Sequence, residues 1–166
     1  MPKVHSIAAR LETLAVPADR VAQLRNVAAG GGGTVILSVQ SGTDRTQAAE
    51  AVARSMGRPL MRVELSQMVS QYVGEAEKNL DRVFAAAAAS GAVLFFDEAD
   101  ALFGKRSEVK DSHDRHANVE VGYLLQKIEA YRGVVVLASS GPRNIDPAVL
   151  KRLRHVVDLP WPPQGS

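Results

Sequence analysis

Two short stretches bring together residue types with chemistry to offer. The first reads Val39-Gln40-Ser41-Gly42-Thr43-Asp44-Arg45-Thr46 and lies between a β-branched run and a helical period. A phosphate-binding loop needs that setting, and its common pattern is G-x-x-x-x-G-K-[ST]. Its glycines let backbone N–H groups wrap phosphates, its lysine reaches the outer oxygens, and its hydroxyl residue holds magnesium. Set on Gly42 and Thr46, the pattern places its first glycine at Val39, its second at Asp44 and its lysine at Arg45. Gly42 and Thr43 can still offer backbone N–H groups, and Thr46 keeps the hydroxyl. A branched side chain at Val39 and a β-carbon at Asp44, where φ can be positive, crowd the loop. Asp44 also sets a carboxylate beside a polyanion, a repulsion on the order of several kcal/mol at an effective dielectric near 20. Arg45 preserves the positive charge, with a planar fork in place of a compact ammonium. The second stretch is Ala92-Val93-Leu94-Phe95-Phe96 followed by Asp97-Glu98. At a strand tip, Asp97 can hold the shell of a magnesium ion and Glu98 can polarise an attacking water. Taken singly, each stretch has a plain alternative: an ordinary strand–turn–helix loop, and a pair of solvated acids.

The surrounding elements must put these stretches side by side. Thr34 to Val39, Leu60 to Leu65, Ala92 to Phe96, Val134 to Ala138 and Val156 to Leu159 read as five strands. Between them run helical periods: Thr46 to Met56 with Ala48, Ala49, Val52 and Ala53 inward, Glu75 to Ala89 with Leu80, Val83, Phe84 and Ala87 inward, and Val119 to Tyr131. Strands apolar on both faces, alternating with helices, predict an α/β fold of three layers, α-β-α, around a mostly parallel five-stranded sheet. Ligands in such sheets bind beyond the C-terminal strand ends, which is where both stretches fall. Ahead of this core, residues 1–33 read as a helical segment, broken at Pro17, and a connector of four glycines from Gly30 to Gly33. The core spans 34–160, and 161–166 form a tail.

Composition narrows the possibilities. The 166 residues suit one domain, and a formal charge of +2 is too small to imply a nucleic-acid partner. The absence of cysteine excludes disulfides, thiolate catalysis and cysteine–zinc sites. No apolar run is long enough to span a bilayer and no secretory signal is visible, which makes a cytoplasmic location the expectation. Asp111, His113, Asp114 and His116 crowd one polar loop and could be drawn as a metal site, although a solvated loop is the better reading.

Beyond Asp97-Glu98 the chain continues Ala99-Asp100-Ala101-Leu102-Phe103, and DEADALFGKRSEV as a whole resembles the Walker B strand and following loop of the AAA family of ATPases. Gln71-Tyr72-Val73-Gly74, followed by GEAEKNLDRVF, is similar to that family's first pore loop and the helix behind it. NVEVGYLLQKIEAYRGVVVLASS looks like the helix and strand that lead to sensor 1. NIDPAVLKRL resembles the stretch that carries arginine fingers. The resemblance covers roughly Val35 to Pro160 in the family's order.

That resemblance implies ATP and magnesium as cofactors, with Gly42, Thr43, Asp44, Arg45 and Thr46 around the phosphates and Thr46 and Asp97 on the metal side. It implies catalytic roles for Asp97 and Glu98, for Ser140 where the family has a sensor asparagine, and for Arg152, with Lys151 and Arg154 as neighbours, reaching an adjoining subunit's phosphate. Tyr72, Val73 and Gly74 would line the pore of a ring, such as a hexamer, of this chain or a related subunit, and grip a polypeptide. The loop of His113 and His116 corresponds to the second pore loop. By the resemblance a helical lid would follow the last strand, and residues 161–166 are expected to lack it. The expected function is that of a protein-remodelling AAA ATPase with impaired hydrolysis; the alternative is a non-hydrolysing assembly or protein-binding module. Neither nucleic acid nor membrane is an expected partner.

Overall fold

The computed structural model describes residues 18–29, 32–39, 45–63, 75–97, 122–139, 145–153 and 155–161. Five strands form one sheet: β1 (Gly33–Val39), β2 (Leu60–Val63), β3 (Val93–Phe96), β4 (Val134–Ser139) and β5 (Val156–Trp161). Their order across the sheet is β2-β3-β4-β1-β5, and every described pairing is parallel. The helices are α1 (Ala18–Ala29), α2 (Arg45–Ser55), α3 (Glu75–Ser90), α4 (residues 122–130) and α5 (Pro147–Arg152).

The period-two alternation of the strands sorts their side chains into two cores. Val35, Leu37, Val39, Val93, Phe95, Val134, Val136 and Ala138 face α1 and α2, where Leu24, Ala48, Ala49, Val52 and Ala53 meet them. Ile36, Leu94, Phe96, Val135 and Leu137 face the other way, onto Leu80, Phe84 and Ala87 of α3 and Leu124 and Ile128 of α4. This is the expected three-layer α/β arrangement, and a strand with a core on each face must be apolar throughout. The predicted inner face of α2 is buried in full, whereas Val83 of α3 is only half-buried.

Two local features differ from the sequence expectation. The glycine connector is partly built into the fold: Gly33 opens β1, and Gly32 has φ +100° with its Cα pressed on the backbone of Gly133. A β-carbon on Gly32 would stand 2.3 Å from the Gly133 carbonyl oxygen, so only glycine fits there. At the other end, β5 runs on through Pro160 to Trp161, whose register partner is Val39, so the first residue of the expected tail belongs to the sheet. Proline is tolerated there because β5 is an edge strand. The segment before Pro17, and Glu64 and Leu65 at the end of the expected second strand, lie outside the described residues.

Candidate phosphate site

The parallel order brings the C-terminal ends of β1, β4 and β3 next to one another. In register, Phe96 of β3 stands level with Leu137 of β4, and Leu137 with Ile36 of β1. Asp97 therefore sits one residue beyond the end of β3. Arg45 opens α2, the helix that follows β1, two strand positions away, or roughly 10 Å at ordinary inter-strand spacing. The long arginine side chain closes that gap over the end of β4. Its Nε donates to Asp97 Oδ1 at 2.5 Å, and the same carboxylate takes Arg62 Nη2 on Oδ2 at 3.4 Å. Asp97 is 13% exposed, Arg45 42% and Arg62 43%. One nearly buried carboxylate thus lies between two half-exposed guanidiniums that arrive from opposite sides.

Strand periodicity explains the convergence. Phe95 belongs to the core under α2, so Asp97, two residues on, points to the same face. Arg62 is the register partner of Phe95, and its neighbour Val63 is buried on the opposite face, which turns Arg62 toward α2. Sequence reasoning selected Arg45 and Asp97 but missed Arg62. The alternation around it, Met61-Arg62-Val63, was the available signal, and it needed the knowledge that β2 lies beside β3.

Thr46, half-buried, occupies the first turn of α2 beside Arg45, and that turn carries no acidic residue. The positive end of the helix dipole and the Arg45 guanidinium together favour an anion in front of α2. A divalent cation is served differently. Both oxygens of Asp97 carry a guanidinium, so a metal ion would have to displace an arginine or sit close to one. At about 4 Å and an effective dielectric of 20, a doubly charged ion and a guanidinium repel by about 8 kcal/mol. As arranged, Asp97 does not fit a magnesium ion. Among the described residues no group of three metal-ligating side chains occurs. The loop of Asp111, His113, Asp114 and His116 lies outside them.

Arg152 is elsewhere, at the end of α5. That helix starts with Asp146 as its cap, accepting from the Ala148 N–H at 3.0 Å, and with Pro147 in its first turn. Arg152 grips Glu129 of α4 with both arms of its fork, Nε to Oε2 at 3.0 Å and Nη2 to Oε1 at 2.8 Å. The hydrogen bond from Arg152 holds the Glu129 carboxyl below the ordinary glutamate range. The structure thus brings Arg45 to Asp97 and leaves Arg152 paired within its own chain. Gly42, Thr43, Asp44, Tyr72, Val73, Gly74, Glu98, Ser140 and Arg154 lie outside the described residues. No helix among the described residues is long and apolar enough to cross a membrane.

Comparison with known proteins places this geometry in context. Residues 35–161 match the family model described as ATPase family associated with various cellular activities (AAA). The uncharacterized AAA family ATPase y4kL of Sinorhizobium fredii is 32% identical over 116 residues, covering 70% of this chain and 35% of that protein. The 26S proteasome subunit RPT4 of Saccharomyces cerevisiae is 30% identical over 139 residues, covering 80% of this chain and 32% of the subunit. A cell division cycle protein 48 homolog of Archaeoglobus fulgidus is 34% identical over 133 residues, covering 77% of this chain and 18% of that protein. The chain spans between 18% and 35% of the length of these three relatives.

Proposed function

The chain belongs to the AAA family of ATPases, and from that premise we propose that it is the nucleotide-binding part of a ring-forming, polypeptide-remodelling assembly in the cytoplasm, one in which ATP binding outlasts hydrolysis. The family supplies the ATP-binding expectation. The relative named as a 26S proteasome subunit favours a polypeptide as the thing acted upon and further subunits as partners. In this reading Gly42, Thr43, Asp44, Arg45 and Thr46 surround the phosphates, Glu98 polarises the attacking water, and Ser140 steadies it. Tyr72, Val73 and Gly74 grip the polypeptide, and Arg152 leaves Glu129 to approach a neighbour's nucleotide. Position for position, Arg45 and the helix dipole at the start of α2 attract the phosphates, and Glu98 acts on the far side of the γ-phosphorus.

The observation that supports reduced turnover is the engagement of Asp97 by Arg45 and Arg62, because it holds the carboxylate next to two cations. The same observation favours the second reading, a non-hydrolysing module that assembles with others through this fold. A steady-state ATPase assay separates the outcomes. We expect turnover well below about 1 s⁻¹, the low end of ordinary enzymes. Turnover at or above that rate, abolished by Glu98→Gln, would overturn the impaired-hydrolysis reading.

A further inference from the structure

The carboxylate of Asp97 has two guanidinium neighbours. Arg45 comes from the start of α2 and Arg62 from the adjoining edge strand β2. Each contacts a different oxygen, Oδ1 and Oδ2 respectively. The carboxylate is 13% exposed, so its charge is met by these groups more than by water. Among the described residues of the cluster, one negative group meets two positive ones in front of a helix N-terminus, a balance that the Asp44 carboxylate just ahead of Arg45 reduces. Guanidinium suits this duty because it stays charged at any relevant pH and its planar fork can bridge a carboxylate and a phosphate at once. Only one of its several N–H donors is used on Asp97 in the case of Arg45.

From this geometry we propose that Arg45 and Arg62 take the place of a divalent ion on Asp97, and that the chain holds a nucleoside triphosphate without any metal. The inference rests on the reading of Val39 to Thr46 as a phosphate loop and extends it to the ionic form of the ligand. The two guanidiniums supply the positive charge that the β- and γ-phosphates need for binding. They do not supply the ligand-bridging geometry of an ion that polarises the γ-phosphate, which is why binding and turnover part company here.

The test is calorimetric titration of the full chain with ATP, once with excess magnesium and once with EDTA. The expected dissociation constants agree within about threefold. A loss of about tenfold or more in EDTA overturns this inference and leaves nucleotide binding intact. Absence of binding in both buffers overturns the inference and the nucleotide-binding reading together. The double variant Arg45→Lys with Arg62→Ala takes both guanidiniums away from Asp97, and its ATP affinity is expected to rise by about tenfold or more when magnesium replaces EDTA. Adding Asp97→Asn should remove that gain. A double variant that melts like the parent yet stays indifferent to magnesium overturns the replacement of the ion by arginine.

Discussion

At the scale of single residues, ion pairs in this protein differ in what they protect. Arg152 and Glu129 are both substantially exposed, so their bidentate contact adds little at neutral pH. It does leave a pH signature. The folded-state pKa of Glu129 is lowered by the hydrogen bond from Arg152, so the pair's contribution is fully present above the ordinary glutamate value of about 4.3 and fades as pH falls below it. Thermal melts across the acid range should show Glu129→Gln losing less stability than the parent below about pH 4 and differing little from it at pH 7. Tyr131 makes a different kind of contact. Burial raises its phenol's pKa, its hydroxyl donates to the Ala92 carbonyl at 2.9 Å, and its ring meets Phe84 edge-on at 5.5 Å. Tyr131→Phe keeps the ring contact and leaves a buried carbonyl short of a partner, a cost of about 1 kcal/mol in denaturant unfolding.

At the scale of elements, the glycine run shows where sequence reading stops. β1, β3 and β4 were plain in the sequence because a strand with a core on each face has to be continuously apolar, and α2 and α3 because one face of each is buried. Gly30 to Gly33 looked like a loose connector because the partner of Gly32, the backbone of Gly133, is far away along the chain. Gly32→Ala should cost on the order of 2–3 kcal/mol, since it combines φ +100° with a collision against backbone, whereas Gly57→Ala meets open space and is charged only for its positive φ. Chemical denaturation of the two variants measures the difference. The candidate site was half legible for the same reason. Arg45 and Asp97 lie in recognisable local patterns, while Arg62 acquires its place only from the side-by-side packing of β2 and β3. Likewise Trp161 belongs to β5 because Val39 is there to pair with it.

At the scale of the whole molecule, one sheet separates two cores, and residues in its middle strands contribute to stability without touching the phosphate end. Phe95 is fully buried among Val93, Val136 and α2, and Phe95→Ala should cost about 3–5 kcal/mol through lost contacts and the cavity left behind. The sheet order also has a bearing on how the chain comes off the ribosome. Of the five described strands β1 is made first, yet its ladder partners are β4 and β5, and among those strands β2 pairs with β3 alone. Gly33 must wait for Val134, about 100 residues later, a delay of roughly 5–20 s at ordinary rates of synthesis. During that interval a seven-residue strand with an apolar centre, Gly33–Val39, has emerged with both of its edges unpaired. Such a strand is a natural client for a holding chaperone and a nucleus for aggregation if translation stalls between β1 and β4.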